Sequence, residues 1–172
     1  MTLLVPQTLQ TDRLILRQFR NQDWQDLHDY YSDRDATRFT FGRPLSEGDT
    51  WRIMCGMIGH WQVRGYGPYA VEEKNSGRVL GTVGFWYPID WPEAEIKWAL
   101  AAHAWGRGFA SEAARAVQKA GSQYLPDTHL ISLIHPQNSR SVNLALALGA
   151  TYEKEVPSED TTLHLYRHPR AS

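Results

Sequence analysis

Hydrophobic and polar positions alternate between Glu95 and Ala101, where Lys97 and Ala99 separate Ile96, Trp98 and Leu100. A period of two is that of a strand. After the turn Trp105-Gly106-Arg107-Gly108-Phe109-Ala110, the residues Ala113, Ala114, Val117, Ala120, Gly121 and Tyr124 recur at helical spacing. The pattern predicts a strand that runs into a glycine turn, and a turn that runs into a helix. Gly106 and Gly108 lack a Cβ, so the backbone can take unusual dihedrals and a ligand can approach it. The first N–H groups of the helix have no internal acceptor and carry partial positive charge. Such a turn suits an anion, a phosphate or pyrophosphate above all.

The same patterning divides the rest of the chain. A first strand falls at 13–19 and a helix at 22–32, capped by Asn21, with Trp24, Leu27, Tyr30 and Tyr31 on its apolar side. Residues 35–43 end at Gly42 and Pro44, and if they are extended Phe39 and Phe41 lie on one side. A second helix starts at Ser46 or Asp49 and carries Trp51, Met54, Met57, Ile58 and Trp61. Strands at 69–74 and 79–87 form a hairpin over Asn75-Ser76-Gly77, and the strand at 94–101 follows. Beyond the central helix come an apolar strand at 129–135, a helix at 138–148 closed by Gly149, and a hairpin of 151–156 with 161–168. An antiparallel meander followed by β-α-β-α is an α+β pattern, here in one domain over 1–172.

Composition adds bounds rather than chemistry. A chain of 172 residues with 42% hydrophobic and 22% charged residues is ordinary for one globular domain. A net charge of −1 gives no electrostatic case for nucleic acid or an anionic membrane as partner. Cys55 is the single cysteine, which excludes an intrachain disulfide, and it reads as structural. The start MTLLVPQTLQTDR has neither a basic region nor a sustained apolar run, so a cytoplasmic location is the expectation. No phosphate loop of the G-x-x-x-x-G-K-[ST] type and no HExxH zinc motif is present. His164 and His168 would stand about 13 Å apart on a strand, too far to share a metal, so no metal is expected.

Three readings of the glycine turn compete. The first is a tight strand–helix connection. The second is a dinucleotide site, since Gly106-x-Gly108-x-x-Ser111 approaches G-x-G-x-x-G; the polar lead-in of Glu95, Lys97 and His103 and the placement of Asp127 speak against it. The third is a pyrophosphate site for coenzyme A. Here resemblance adds weight. EIKWAL, WGRGFASEA and NSRSVNLALALGA, in that order, resemble the GNAT acetyltransferase superfamily, and most of all its ribosomal-protein N-terminal acetyltransferase branch. The likeness covers about residues 10–168. Gly108 and Ala110 match the last two places of the family's glycine motif.

The resemblance implies a mixed, mostly antiparallel sheet flanked by helices and splayed between its fourth and fifth strands. Acetyl-CoA would enter the splay from one side and an amine acceptor, a small molecule or a protein N-terminus, from the other; a homodimer stays open. It implies backbone contacts to the pantetheine arm from Trp98, Ala99 and Leu100. The pyrophosphate would lie on Gly106, Arg107, Gly108, Phe109, Ala110 and Ser111. Asn138 would contact the coenzyme and Ser141 would lie near its sulfur, although both also read as ordinary helix-start residues. Transfer to an amine requires a neutral nucleophile, so a carboxylate that takes its proton is needed. Glu95 is the first candidate, with Asp90, Glu93 and Glu112 as rivals. Glu112 is expected to be structural, near the positive end of its helix. Many relatives carry a tyrosine on the penultimate helix as general acid; positions 142–148 have none, which leaves Ser141 or water. Phe39, Phe41, Trp51, Phe85 and Trp86 are candidates for the acceptor wall, and any of them can equally be core. The alternative to a transferase is a coenzyme-binding module without activity.

Overall fold

The computed structural model describes residues 2–159 and 161–170; residues 1, 160, 171 and 172 of the expected domain lie outside the described residues. The elements are β1 (Thr8–Gln10), β2 (Leu14–Arg17), α1 (Trp24–Tyr31), α2 (Arg34–Thr37), α3 (Glu47–Arg64), β3 (Pro68–Glu73), β4 (Val79–Trp86), β5 (Ala94–Leu100), α4 (Phe109–Tyr124), β6 (Leu130–Ile134), α5 (Ser139–Ala147), β7 (Thr151–Pro157) and β8 (Thr162–Arg167). They build one sheet of order β1-β2-β3-β4-β5-β6-β8-β7. Every neighbouring pair is antiparallel except β5 with β6.

The splay is visible in the register. β5 pairs with β4 over six positions, from Gly81↔Leu100 to Trp86↔Glu95. It pairs with β6 only at Ala94↔Leu130 and Glu95↔Ile131. Beyond Glu95 the two parallel strands part. The parting falls between the strands expected at 94–101 and 129–135, which become β5 and β6 once the short β1 is counted.

Each sheet face carries its own core. On one, Leu14, Leu16, Phe85, Ile96 and Leu100 pack against Phe109, Ala113, Ala114, Val117 and Ala120 of α4. Small residues let this helix lie close: a Cβ on Gly121 would stand 2.6 Å from Leu130 Cδ1. On the other, Leu27, Tyr30 and Tyr31 of α1 pack with Met54 and Met57 of α3 over Ala70 and Val79. Leu14 and Leu16 are buried and Ile15 is not, which settles the inward face of β2.

Two local expectations are corrected. Residues 35–43 are not extended. Asp33 caps α2 by accepting the Ala36 N–H at 2.8 Å, and the Thr37 carbonyl then gathers the N–H groups of Thr40, Phe41 and Gly42. An Asp cap followed by Ala-Thr favours one helical turn, and the aromatic alternation hid it. Asn21 does not cap the first helix either. It lies in a 3-10 turn, and the Asp23 carboxylate accepts the Arg20 N–H at 2.6 Å while pairing with Arg17 at 2.7 Å. Ser46 is the cap of α3, and Gly65 ends it in the left-handed region at φ 74°. Among the described residues no helix is long and apolar enough to cross a membrane.

Candidate active site

A cavity of about 930 Å³ fills the splay and continues between β5 and the helices on its far side. One wall is the start of α4, with Gly106, Gly108, Phe109, Ala110 and Ser111, joined by Asn138, Arg140 and Ser141 of α5. Gly106 and Gly108 take φ of 72° and 79°, a region that L side chains rarely occupy. A Cβ on Gly106 would meet nothing within 4 Å, so open space lies over the turn. Arg140 stacks on Trp105 with its guanidinium 3.3 Å from the ring centroid, a fixed cation on the same wall. Arg107 is different. Its side chain turns outward to Glu73 at 3.2 Å and borders a separate notch with Arg13 and Lys74.

The free edge of β5 forms the next wall. The Ile96 carbonyl accepts the Ser132 hydroxyl at 2.6 Å, and the Leu100 carbonyl accepts the Trp105 indole at 2.8 Å. Both point away from β4, so Trp98 between them turns its main chain the same way, by the period of two. Ala99 turns its carbonyl toward β4, where a Cβ on Gly81 would strike it at 2.1 Å. The Trp98 indole donates to Ser141 Oγ at 3.1 Å. That hydroxyl keeps its own proton free to donate. Asn138 caps α5, its side chain accepting the Ser141 N–H at 3.3 Å.

Glu95 lies at the floor, where the strands part. It is 7% exposed and accepts the Trp91 indole N–H at 2.8 Å and the Leu133 N–H at 3.1 Å. Burial pushes its carboxyl up to about 7, against the pull of those two hydrogen bonds and of Lys97. Lys97, two positions on and on the same face, is pushed down by burial and partly held up by Glu95. Beneath them Ser132 Oγ accepts from His168 Nε2 at 2.9 Å, since its own proton goes to Ile96. Burial holds His168 down at about 4, so this ring is a neutral brace.

The side of the cavity away from the glycine turn is aromatic. Tyr30, Tyr31, Phe39, Phe41, Trp86 and Trp91 line it, with Asp35 and Asp90 at an exposed mouth. Phe39 stacks with His135 at 5.1 Å, and Trp86 with His60 at 4.9 Å. Two wall candidates stand elsewhere. Phe85 is fully buried in the α4-side core, because it alternates with Trp86 across the sheet. Trp51 is 46% exposed and borders no part of the cavity, whereas Ile53, Gly56 and Met57 of the same helix do. The rivals to Glu95 are engaged or solvated. Glu93 is held low by Arg167 at 2.8 Å, and Asp90 is exposed. Glu112 accepts from Thr11 at 2.5 Å and pairs with Arg13 at 2.7 Å, which pins β1 and β2 to α4. Sequence patterning does not single out Lys97, Arg140 or His135; for Lys97 the signal was its alternation with Glu95. Among the described residues no group of three His, Cys, Asp or Glu stands ready for a metal ion.

A sheet parted over a glycine turn defines an acetyltransferase architecture, and comparison with known proteins agrees. The acetyltransferase (GNAT) domain model matches residues 13–151, and the chain belongs to that family. It is 32% identical over 152 residues to the uncharacterized N-acetyltransferase p20 of Bacillus licheniformis, covering 87% of this chain and 84% of that protein. An acetyltransferase structure from Agrobacterium tumefaciens superposes with a TM-score of 0.84 at 29% identity, covering 96% of this chain and 95% of that one. A ribosomal L7/L12 α-N-protein acetyltransferase in complex with coenzyme A shares the fold, with a TM-score of 0.76 at 19% identity, covering 96% and 97%.

Proposed function

We propose that the protein moves an acetyl group from acetyl-CoA to a primary amine by direct attack, with Glu95 as base. The observation that carries this reading is the buried carboxylate at the floor of the splay, pushed up to about 7 and free of any ion pair among the described residues. A base poised near neutrality can take a proton from an ammonium group and pass it on.

The residues fit the coenzyme. The two left-handed glycines, the open space over Gly106 and the start of α4 suit a pyrophosphate, and Arg140 adds charge beside them. The unpaired main chain of Trp98 suits an amide-rich arm and can polarise a carbonyl. When bound, acetyl-CoA supplies an activated acetyl thioester. The amine nitrogen, relieved of a proton by Glu95, forms the N–C bond as the C–S bond breaks. Sulfur departs with the electron pair, and the second proton of the acylated nitrogen passes to it, with the free Ser141 hydroxyl or water as hydrogen-bond donor and relay, so the products are the amide and the coenzyme thiol. A neutral seryl O–H needs no shifted pKa for hydrogen bonding, which answers the missing tyrosine on α5.

The test is incubation with labelled acetyl-CoA and a broad panel of amines and peptides. Acetylated product is expected. Tight coenzyme binding without transfer to any acceptor would leave only a binding module, and absence of binding would remove both readings.

A further inference from the structure

Lys97 is set apart from the other partly buried cations of the fold. Arg17 faces Asp23 and Glu72, Arg167 faces Glu93 and Glu153, and Arg64, which has no carboxylate, donates to the Tyr87 carbonyl at 3.1 Å. Among the described residues Lys97 has no hydrogen-bond acceptor and no carboxylate within ion-pair distance. Its ammonium lies 4.8 Å from the Trp86 ring centroid, inside the cavity. Opposite it on β4 stands Gly84, which brings no side chain, and Trp86 stands diagonally across. A half-buried ammonium without an anion keeps a desolvation cost that a bound anion would relieve.

The placement is specific. Glu95 and Lys97 leave the same face of β5, one strand repeat or about 6–7 Å apart along the chain. A carboxylate and an ammonium so spaced can each take a complementary group carried on one carbon atom. Around them the wall is aromatic and apolar, with Tyr31, Phe39, Phe41, Trp86 and Met57. The two other acidic groups, Asp35 and Asp90, sit exposed at the mouth and leave the interior charge to Glu95 and Lys97.

We infer that the acceptor is a free α-amino acid with an aromatic or large apolar side chain: its amine meets Glu95, its carboxylate meets Lys97, and its side chain enters the aromatic wall. The inference rests on the amine-acetylation reading above. The ammonium loses one proton to Glu95, the nitrogen takes the acetyl carbon as the C–S bond breaks, its second surplus proton passes to the departing sulfur, and the products are an N-acetyl amino acid and the coenzyme A thiol. A peptide N-terminus has no α-carboxylate and would leave Lys97 unpaired.

Initial rates with acetyl-CoA decide it, comparing L-phenylalanine, L-tryptophan and L-methionine with phenylalaninamide, phenethylamine and a tripeptide beginning with Phe. The kcat/KM for the amino acid is expected to exceed that for its amide by about 10–100-fold, the range of a charge-assisted contact. Lys97→Met should collapse that ratio toward one, mainly through KM, and Lys97→Arg should retain most of it. If amide, amine or peptide is used as well as the amino acid, the inference fails while the acetyltransferase reading stands. Transfer to no amine at all would defeat both. The wild-type ratio is informative even if Lys97→Met does not fold, and a folded Lys97→Met that keeps the preference also overturns the inference.

Discussion

Glu95 and Glu112 flank the same glycine turn, and their surroundings are opposites. Glu95 sits where β5 leaves β6, receives two neutral hydrogen bonds and, among the described residues, meets no cation at ion-pair distance. Glu112, one turn into α4, receives Thr11, the Arg13 N–H and the Arg13 guanidinium. Desolvation acts on both. It wins at Glu95, which is pushed up; at Glu112 it is outweighed by the hydrogen bonds and the Arg13 charge, which hold the group low. Depth of burial and the number of donors together decide whether a carboxylate stays ionised. Glu95 is nearly sealed and takes two donors, whereas Glu112 is half-buried and takes three, one of them a guanidinium, and this separates the poised group from the fastened one.

The largest effect should come from Glu95. If it is the base, Glu95→Gln lowers the chemical step by about 10²–10⁴-fold. In the wild type, the single-turnover rate should rise with pH through about 7, as the carboxylate forms. That limb should vanish in the variant, and the deficit should shrink at high pH where more amine is already neutral. An unchanged step would pass the role to water. The same shift also has a stability consequence. The folded-state pKa is raised from 4.5 to about 7, so Glu95's contribution is complete below 4.5 and is lost as pH rises past 7. The whole loss is about 3 kcal/mol, read from denaturant unfolding between pH 3 and 8. Activity and stability would thus run in opposite directions over one window.

The glycine-turn side of the cavity was legible in the sequence, and the aromatic side was not. The alternation of Ile96, Trp98 and Leu100, the spacing of Gly106 and Gly108 and the period of α4 are local signals, and each survives in the structure. The aromatic wall depends on longer-range geometry. Phe39 and Phe41 reach the cavity from a helical turn set by Asp33, not from a strand. Phe85 and Trp86 are neighbours in sequence, yet one is core and the other is cavity, because a strand sends them to opposite faces. Trp51 belongs to an amphipathic helix whose inward stripe runs through Met54, Met57 and Trp61, which turns it to solvent.

A smaller effect should follow at the turn itself. Gly108 holds φ at 79°, and an added Cβ would stand 3.3 Å from Arg13 Nη2. The guanidinium can shift, so the steric cost is modest, but the left-handed backbone costs roughly 1–2 kcal/mol for a residue with a Cβ. Gly108→Val should weaken coenzyme A binding about tenfold or more by calorimetry, through blocked backbone approach, while the chain stays folded. A folded variant with unchanged affinity would show that the turn is only a connection.

Glu112 should give the smallest change, confined to stability and acid tolerance. Its pKa is lowered by folding, so its contribution is present above the unfolded value near 4.5 and is lost as pH falls through the lower folded value. This is the reverse of Glu95 in both sign and window. Arg13 is half-exposed, with 47% of its side chain open to water, so screening reduces the ion pair and the hydrogen bonds carry most of the effect. Glu112→Gln should cost about 1–2 kcal/mol at pH 7 and flatten the acid limb of the unfolding midpoint, because an amide accepts at one atom where the carboxylate accepts at two. The rise of turnover through pH 7 should persist, since it belongs to Glu95. If Glu112→Gln instead abolished that rise and left stability intact, the two carboxylates would have exchanged roles, and deep burial would no longer mark the base.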